Sequence, residues 1–222
     1  MAPPPSSSIE AVIFDLDGVL IDSERVWDDV RRQFAEAHSG RWRPDAQRRM
    51  MGMSAAEWAV FMHHELDVRL EPEQIVAGVV EEMAARYRQQ LPILPGAVAA
   101  VRRVASHWPL GLASSANRQL IDLVLEVSEL ASCFAETLST EEVRRGKPAP
   151  DVYLEVTRRM GVDPRHCAGV EDSTNGILAL KAAGMRAIAV PNRDFPPSAE
   201  TLASADAVIS NLDEVSVEVI EP

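Results

Sequence analysis

Cysteine is almost absent from this 222-residue chain, lysine nearly so, and no apolar run approaches the roughly 18 residues that suggest a membrane-spanning helix. The two cysteines, Cys133 and Cys167, lie far apart without metal-ligand spacing. That argues against a disulfide framework or a zinc site and suits a reducing cytosol. Cations are outnumbered: the formal net charge is -12, which argues against a broad nucleic-acid surface. An anionic ligand must then be captured locally. No repeat with a period of roughly 20 to 50 residues is visible. Met1 to Ser8 is rich in Pro and Ser and lacks both the basic start and the apolar centre of a secretory signal, so it reads as a loose tail. A cytoplasmic protein with neither membrane nor nucleic-acid partners is expected.

What is present is a large apolar fraction, 46%, enough to bury a substantial core. Ala11-Val12-Ile13-Phe14 is a short apolar run stopped by Asp15-Leu16-Asp17-Gly18, the pattern of a buried strand ending in a polar loop. Similar runs precede Ser114, Glu171 and Pro191, with weaker ones at Ala135 to Leu138 and Ala207 to Ile209. Helical periodicity fills the intervals, as at Leu120 to Leu125, at Val152 to Met160 behind Asp151, and at Ile177 to Ala183 before Gly184. This alternation predicts an α/β fold with a mostly parallel sheet whose ligands gather at the carboxyl ends of the strands.

One stretch breaks the alternation. From Asp22 to about Gln90 the periodic segments are all helical, with stripes at Val26, Trp27, Val30 and Phe34, and at Ile75, Val76, Val79, Val80, Met83, Ala84 and Tyr87. The expected organisation is a tail at 1–8, an α/β core formed by 9–21 and 95–222, and a helical insert at 22–94.

Four polar clusters fall at predicted strand ends or helix starts. In Asp15-Leu16-Asp17-Gly18, carboxylates two residues apart can face one side. Two such charges about 4 Å apart repel by roughly 4 kcal/mol at an effective dielectric near 20, so the pair calls for a hard cation or a shared proton. A calcium loop counted from Asp15 fails, since Leu20 and Val26 stand where glycine and glutamate are needed. Ser114-Ser115-Ala116-Asn117 opens a helix and can offer hydroxyls and backbone N–H groups to an anion. Gly146-Lys147-Pro148-Ala149-Pro150-Asp151 presents one of only two lysines, the other being Lys181, on an approach stiffened by two prolines. Glu171-Asp172 directly follows the apolar run Cys167 to Val170 and can supply oxygen ligands to magnesium. Taken singly, each cluster reads as a turn, a helix cap or a solvated lysine. Together they supply a nucleophilic carboxylate, a metal site, a hydroxyl and a lysine, the parts that phosphoryl chemistry requires.

In order, DLDGVLIDSE (Asp15 to Glu24), GLASSAN (Gly111 to Asn117), GKPAPDVY (Gly146 to Tyr153) and GVEDSTNGI (Gly169 to Ile177) resemble the four motifs of haloacid dehalogenase-superfamily phosphatases. The resemblance is closest to the β-phosphoglucomutase-like branch, with a helical cap inserted after the first strand of a Rossmann-like core, and to sugar- or hexitol-phosphate phosphatases. It implies that Asp15 forms an aspartyl-phosphate while Asp17 serves as acid and base. Mg²⁺ would be held by the Asp15 carboxylate, the Asp17 carbonyl and Asp172, with Glu171 in support. Ser114, the Ser115 backbone and Lys147 would hold the phosphate. Asp17 favours phosphate over halide chemistry, because the dehalogenases that share the nucleophile lack this second aspartate.

Substrate choice is expected from residues near the cleft. Asn117, Arg118 and Glu24 are the substrate-binding candidates; Met53 is placed near the cleft only by its cap segment, and Trp27 and Trp58 are read as core. The five histidines, His38, His63, His64, His107 and His166, show no partner pattern. The leading reading is a Mg²⁺-dependent phosphomonoester hydrolase for a small phosphorylated metabolite, working as a monomer or small homo-oligomer. A phosphomutase would need cations where Met51 and Ala55 stand, with Arg48 or Arg49 as substitutes. A catalytically silent phosphate-ester-binding protein is the third alternative.

Overall fold

Ala11, Val12, Ile13 and Phe14 form strand β1 (Ala11–Phe14) and have no exposed surface, as a strand covered on both faces must. The structure is a computed structural model that describes residues 8–50, 53–192 and 196–222. The expected tail, apart from Ser8, and Met51 and Gly52 lie outside the described residues. After β1 come α1 (Glu24–Ala37), α2 (Ala46–Met50), α3 (Ala55–Glu65), α4 (Pro72–Gln89) and α5 (Ala97–Ala105). Strands and helices then alternate: β2 (Leu110–Ser114), α6 (Arg118–Val127), β3 (Phe134–Ser139), α7 (Asp151–Met160), β4 (Cys167–Glu171) and α8 (Thr174–Ala182). The chain ends with β5 (Arg186–Ala189), α9 (Ala199–Ser204), β6 (Ala207–Val208) and α10 (Val217–Ile220).

The sheet is parallel throughout, in the order β3-β2-β1-β4-β5-β6. Ile13 pairs with Gly111 on one side and Gly169 on the other. The chain winds outward from β1 through β2 and β3, then restarts at β4, so the crevice lies where β1 and β4 end. Side chains alternate between faces with a period of two. Val12, Phe14, Leu112 and Val170 join an apolar cluster that continues through Leu20 and Ile21 to Trp27, Trp58 and Met83. Ala11, Ile13, Ala113 and Ala187 face the other way, against Val152 and Tyr153 of α7 and Ile177 and Leu180 of α8.

The helical segment is inserted between β1 and the rest of the α/β fold. Helix α4 starts with Pro72 in its first turn behind a reciprocal Glu71–Gln74 capping box. Its buried face is the expected stripe, with Val76 only half-buried. The two linkers run side by side: Asp22 N donates to Pro92 O (2.8 Å), Leu94 N donates to Leu20 O (3.0 Å), and Ile21 pairs antiparallel with Ile93.

One local expectation is corrected. Pro150, not Asp151, caps α7; Asp151 sits in the first turn and takes a forked pair of bonds from Arg145 (3.2 and 2.9 Å). An acid there still complements the positive end of the helix dipole. Cys133 and Cys167 are free thiols. Among the described residues no helix is long and apolar enough to cross a membrane.

Candidate active site

The backbone of β1 stays in register one residue past its end, since Asp15 N donates to Val170 O (3.0 Å). The chain then turns sharply over Leu16, whose carbonyl accepts from Leu20 N (2.8 Å) and Ile21 N (3.2 Å). Gly18 makes the turn with φ +78°, and a Cβ there would fall 1.9 Å from Asp172 Oδ2. The left-handed backbone and the approach of Asp172 both demand glycine. The turn thus sets Asp15 and Asp17 beside the acid at the end of β4.

Lys147 uses all three ammonium protons. Nζ donates to Asp15 Oδ1 (2.7 Å), Glu171 Oε1 (2.6 Å) and the Ala113 carbonyl (3.0 Å). Tyr153, fully buried on α7, donates its hydroxyl to the same Glu171 Oε1 (2.7 Å). The other Glu171 oxygen accepts from Asp172 N (3.1 Å), Ser173 N (3.3 Å) and Ser173 Oγ (3.1 Å). Glu171 therefore fixes the lysine and the β4–α8 turn at once. Its carboxyl group lies against the first turn of α8, where a Cβ on Gly176 would come within 1.8 Å of it.

Asp17 is held from two directions. Ser23 Oγ, just ahead of α1, donates to Oδ1 (2.5 Å), and Ser114 Oγ at the end of β2 reaches Oδ2 (3.4 Å). The Trp27 side chain adds a hydrogen bond from α1. Burial raises the pKa of Asp17 against these bonds. A carboxyl group whose pKa is raised holds its proton more tightly than a free one, the direction that suits a general acid.

Negative charge is in excess. Burial pushes the Asp15 carboxyl up to about 8 despite the opposing charge of Lys147, and burial followed by Glu171 and Asp15 raises Asp172 as well. Burial alone would lower Lys147, yet Asp15 and Glu171 outweigh it and hold the ammonium well above its usual value. One ammonium faces four carboxyl groups. Oxygen atoms of Asp15, Glu171 and Asp172 lie within 4.8 Å of one another, an all-oxygen donor set that fits a hard divalent cation. Because both Glu171 oxygens already accept protein donors, Asp15 and Asp172 are the carboxylates better placed to face an ion.

These groups border a cavity of about 260 Å³. Of the residues expected in the site, Asp15, Asp17, Glu24, Ser115, Lys147 and Asp172 line it. Ser173, Thr174, Asn175 and Asn192 complete the wall. Ser114 is fully buried beneath it, accepting from Ala116 N (3.0 Å) as well as donating to Asp17. Asn117 and Arg118 lie outside the lining. Asn117 Nδ2 and Arg118 N both donate to Glu141, while the Arg118 guanidinium binds the Thr137 carbonyl (3.0 Å) and Asp122 (2.6 Å). A second groove shares Ser115, Lys147 and Asn175 with the cavity and extends past Met53 and Ala55 to Arg49, Arg144 and Arg145. Arg48 borders a separate surface depression with Asp28 and Asp45.

Sequence reading missed Ser23 and Tyr153. Both stood inside quoted motifs, but a serine before a helix reads as a cap and a tyrosine on a helical stripe reads as core. Trp27 and Trp58 are buried as expected, at 8% and 2% exposure, and Trp27 adds its contact with Asp17.

A family model described as haloacid dehalogenase-like hydrolase matches residues 9–184. Hexitol phosphatase B of Escherichia coli (strain K12) is 34% identical over 217 residues, covering 94% of this chain and 95% of the relative. The bifunctional riboflavin kinase/FMN phosphatase of Arabidopsis thaliana is 31% identical over 209 residues, covering 93% of this chain but 54% of the relative, so this chain spans about half of that protein. CbbY from Rhodobacter sphaeroides, solved in complex with phosphate, aligns with a TM-score of 0.85 at 22% identity, covering 96% of this chain and 100% of that one. The last likeness is one of fold.

Proposed function

The chain belongs to the haloacid dehalogenase-like hydrolases, and from that premise we propose that it is a Mg²⁺-dependent phosphatase for a small phosphorylated metabolite, a sugar or sugar-alcohol phosphate. The observation that carries this reading is the pairing of Asp15, bonded to Lys147, with Asp17, pinned by Ser23 and Ser114. In this mechanism the Asp15 carboxylate attacks phosphorus and the bond to the alcohol oxygen breaks. Asp17 gives that oxygen its proton, leaving an aspartyl-phosphate on Asp15 and a free alcohol. Asp17, now a carboxylate, takes a proton from water as the water attacks the same phosphorus, which releases phosphate and restores both acids. The Ser115 backbone binds phosphoryl oxygens, Lys147 beside Asp15 offsets their charge, and Ser114 steadies Asp17. A divalent cation held by Asp15, Asp172 and the Asp17 carbonyl would neutralise phosphoryl charge. Asp22 to Leu94 would serve as the cap that shields the reaction from bulk water.

The test is phosphate release from a panel of sugar and polyol phosphates, with Mg²⁺ and with a chelator. Mg²⁺-dependent turnover that Asp15→Asn and Asp17→Asn abolish is expected. A chain that binds esters tightly but turns none over would instead be a silent binding protein.

A phosphomutase is the second reading, favoured by one observation: Arg49 and Arg144 line the groove that adjoins the cavity, where a second phosphate could lie. The segment compared with the mutase grip includes Met51 and Gly52, which lie outside the described residues. Conversion of a sugar 1-phosphate to its 6-phosphate isomer, rather than to free phosphate, would decide for it.

A further inference from the structure

To the cavity that the phosphate-handling residues border, the helical segment contributes one lining side chain among the described residues, Glu24 at the start of α1. Its carboxylate is held from behind. Gln47 Nε2 on α2 donates to Glu24 Oε2 (3.0 Å), and Gln47 Oε1 accepts from Arg31 Nη1 (3.2 Å). Arg31 is itself immobilised: it is 6% exposed, and its guanidinium lies 4.4 Å from the centroid of Trp27 and 5.0 Å from that of Trp58. A buried arginine packed against two indoles therefore orients a buried glutamine, which in turn orients an acid at the cavity wall.

The composition of the wall gives that acid a task. Lys147 is the cation lining the cavity among the described residues, and its three protons are already committed. Glu24 accepts hydrogen bonds from hydroxyl groups and repels a second anion, while Ser173, Thr174 and Asn175 add neutral partners. We infer that Glu24, positioned by Gln47 and Arg31, reads hydroxyl groups on the leaving alcohol and selects uncharged polyhydroxy alcohols as phosphate esters. This inference rests on the phosphatase reading and names the residues that set the choice of alcohol at that same site, Glu24 and, behind it, Gln47 and Arg31.

The experiment compares kcat/KM for a hexitol monophosphate, a hexose bisphosphate and para-nitrophenyl phosphate, which has no hydroxyls. The wild type should prefer the hexitol ester to the bisphosphate. In Glu24→Ala the hexitol-to-aryl ratio should fall roughly tenfold to a hundredfold, the loss expected for a hydrogen bond to a charged acceptor. Gln47→Leu, which leaves the cavity lining intact, should lower the same ratio roughly threefold to tenfold, chiefly through KM for the hexitol ester. Glu24→Gln, which keeps side-chain volume, supplies the measurement if the alanine variant does not fold, and its ratio should fall less. Ratios that stay within about twofold of wild type in all folded variants, or a wild-type preference for the bisphosphate, would overturn the inference while leaving phosphatase activity standing. A wild type that releases no phosphate from any ester would instead remove the reading beneath it.

Discussion

Gly18 and Asp172 compete for the same space: the missing Cβ of the one would sit 1.9 Å from a carboxylate oxygen of the other. The turn after β1 and the acid after β4 are therefore built against each other.

Gly18→Ala should damage both. The left-handed backbone costs an alanine about 1 kcal/mol or somewhat more, and the new methyl must push Asp172 away. Thermal unfolding should move down modestly. Phosphate release should fall by roughly a hundredfold or more, with a weaker apparent affinity for Mg²⁺ in activity titrations.

Lys147→Met removes the one ammonium that neutralises two buried acids. Breaking a buried pair from one side costs about 3 kcal/mol or more. Chemical denaturation should register that loss, and turnover should vanish. Added Mg²⁺ should recover part of the stability without restoring activity.

The acids of the site give stability a pH dependence of known sign. Burial pushes Asp15 up to about 8 and raises Asp172, so both hold their protons more tightly folded than unfolded. Their contribution is fully present below the unfolded carboxylate value of about 4 and is lost as pH rises through the folded value. Surface acids with the opposite shift act lower: Arg158 and Arg159 pull Glu155 down to about 2, and its contribution is lost only as pH falls below the usual carboxylate range. Without divalent cation, the unfolding midpoint should therefore decline from mildly acidic pH toward pH 8 or so. Asp15→Asn should flatten the decline, and the increment from Mg²⁺ should be greatest at the alkaline end.

Tyr153→Phe deletes one hydroxyl beneath the site. Glu171 Oε1 then keeps Lys147 as its remaining partner and draws the ammonium from Asp15. A loss of about 1 kcal/mol in stability is expected for the hydrogen bond. The kinetic effect should fall on kcat more than on KM, measurable by steady-state phosphate release.

What could be read beforehand was whatever short-range chemistry dictates. Apolar runs that stop at Asp15, Ser114 and Glu171 announce buried strands with polar ends, and the topology then collects those ends at one edge. Glu141 was invisible as the partner of Asn117 and Arg118, because it arrives from the far end of β3. The same blindness hid the link from Arg31 through Gln47 to Glu24, because these residues stand on two helices whose relative placement no periodicity encodes. Asp151 shows a smaller failure: an acid beside a helix start reads as a cap, but Pro150 had already taken the position.

The paired linkers have a mechanical consequence. Two polypeptide segments, tied by Asp22 to Pro92 and by Leu94 to Leu20, form a narrow ribbon rather than a single tether. A ribbon bends readily across its width and resists twist and shear. Any relative motion of the inserted helices and the sheet would thereby be channelled into rocking about one axis, carrying Glu24 toward or away from Asp17 along one arc. On the proposed mechanism, a bound ester would then meet Asp17 from one direction, a constraint that a lone flexible strand could not impose.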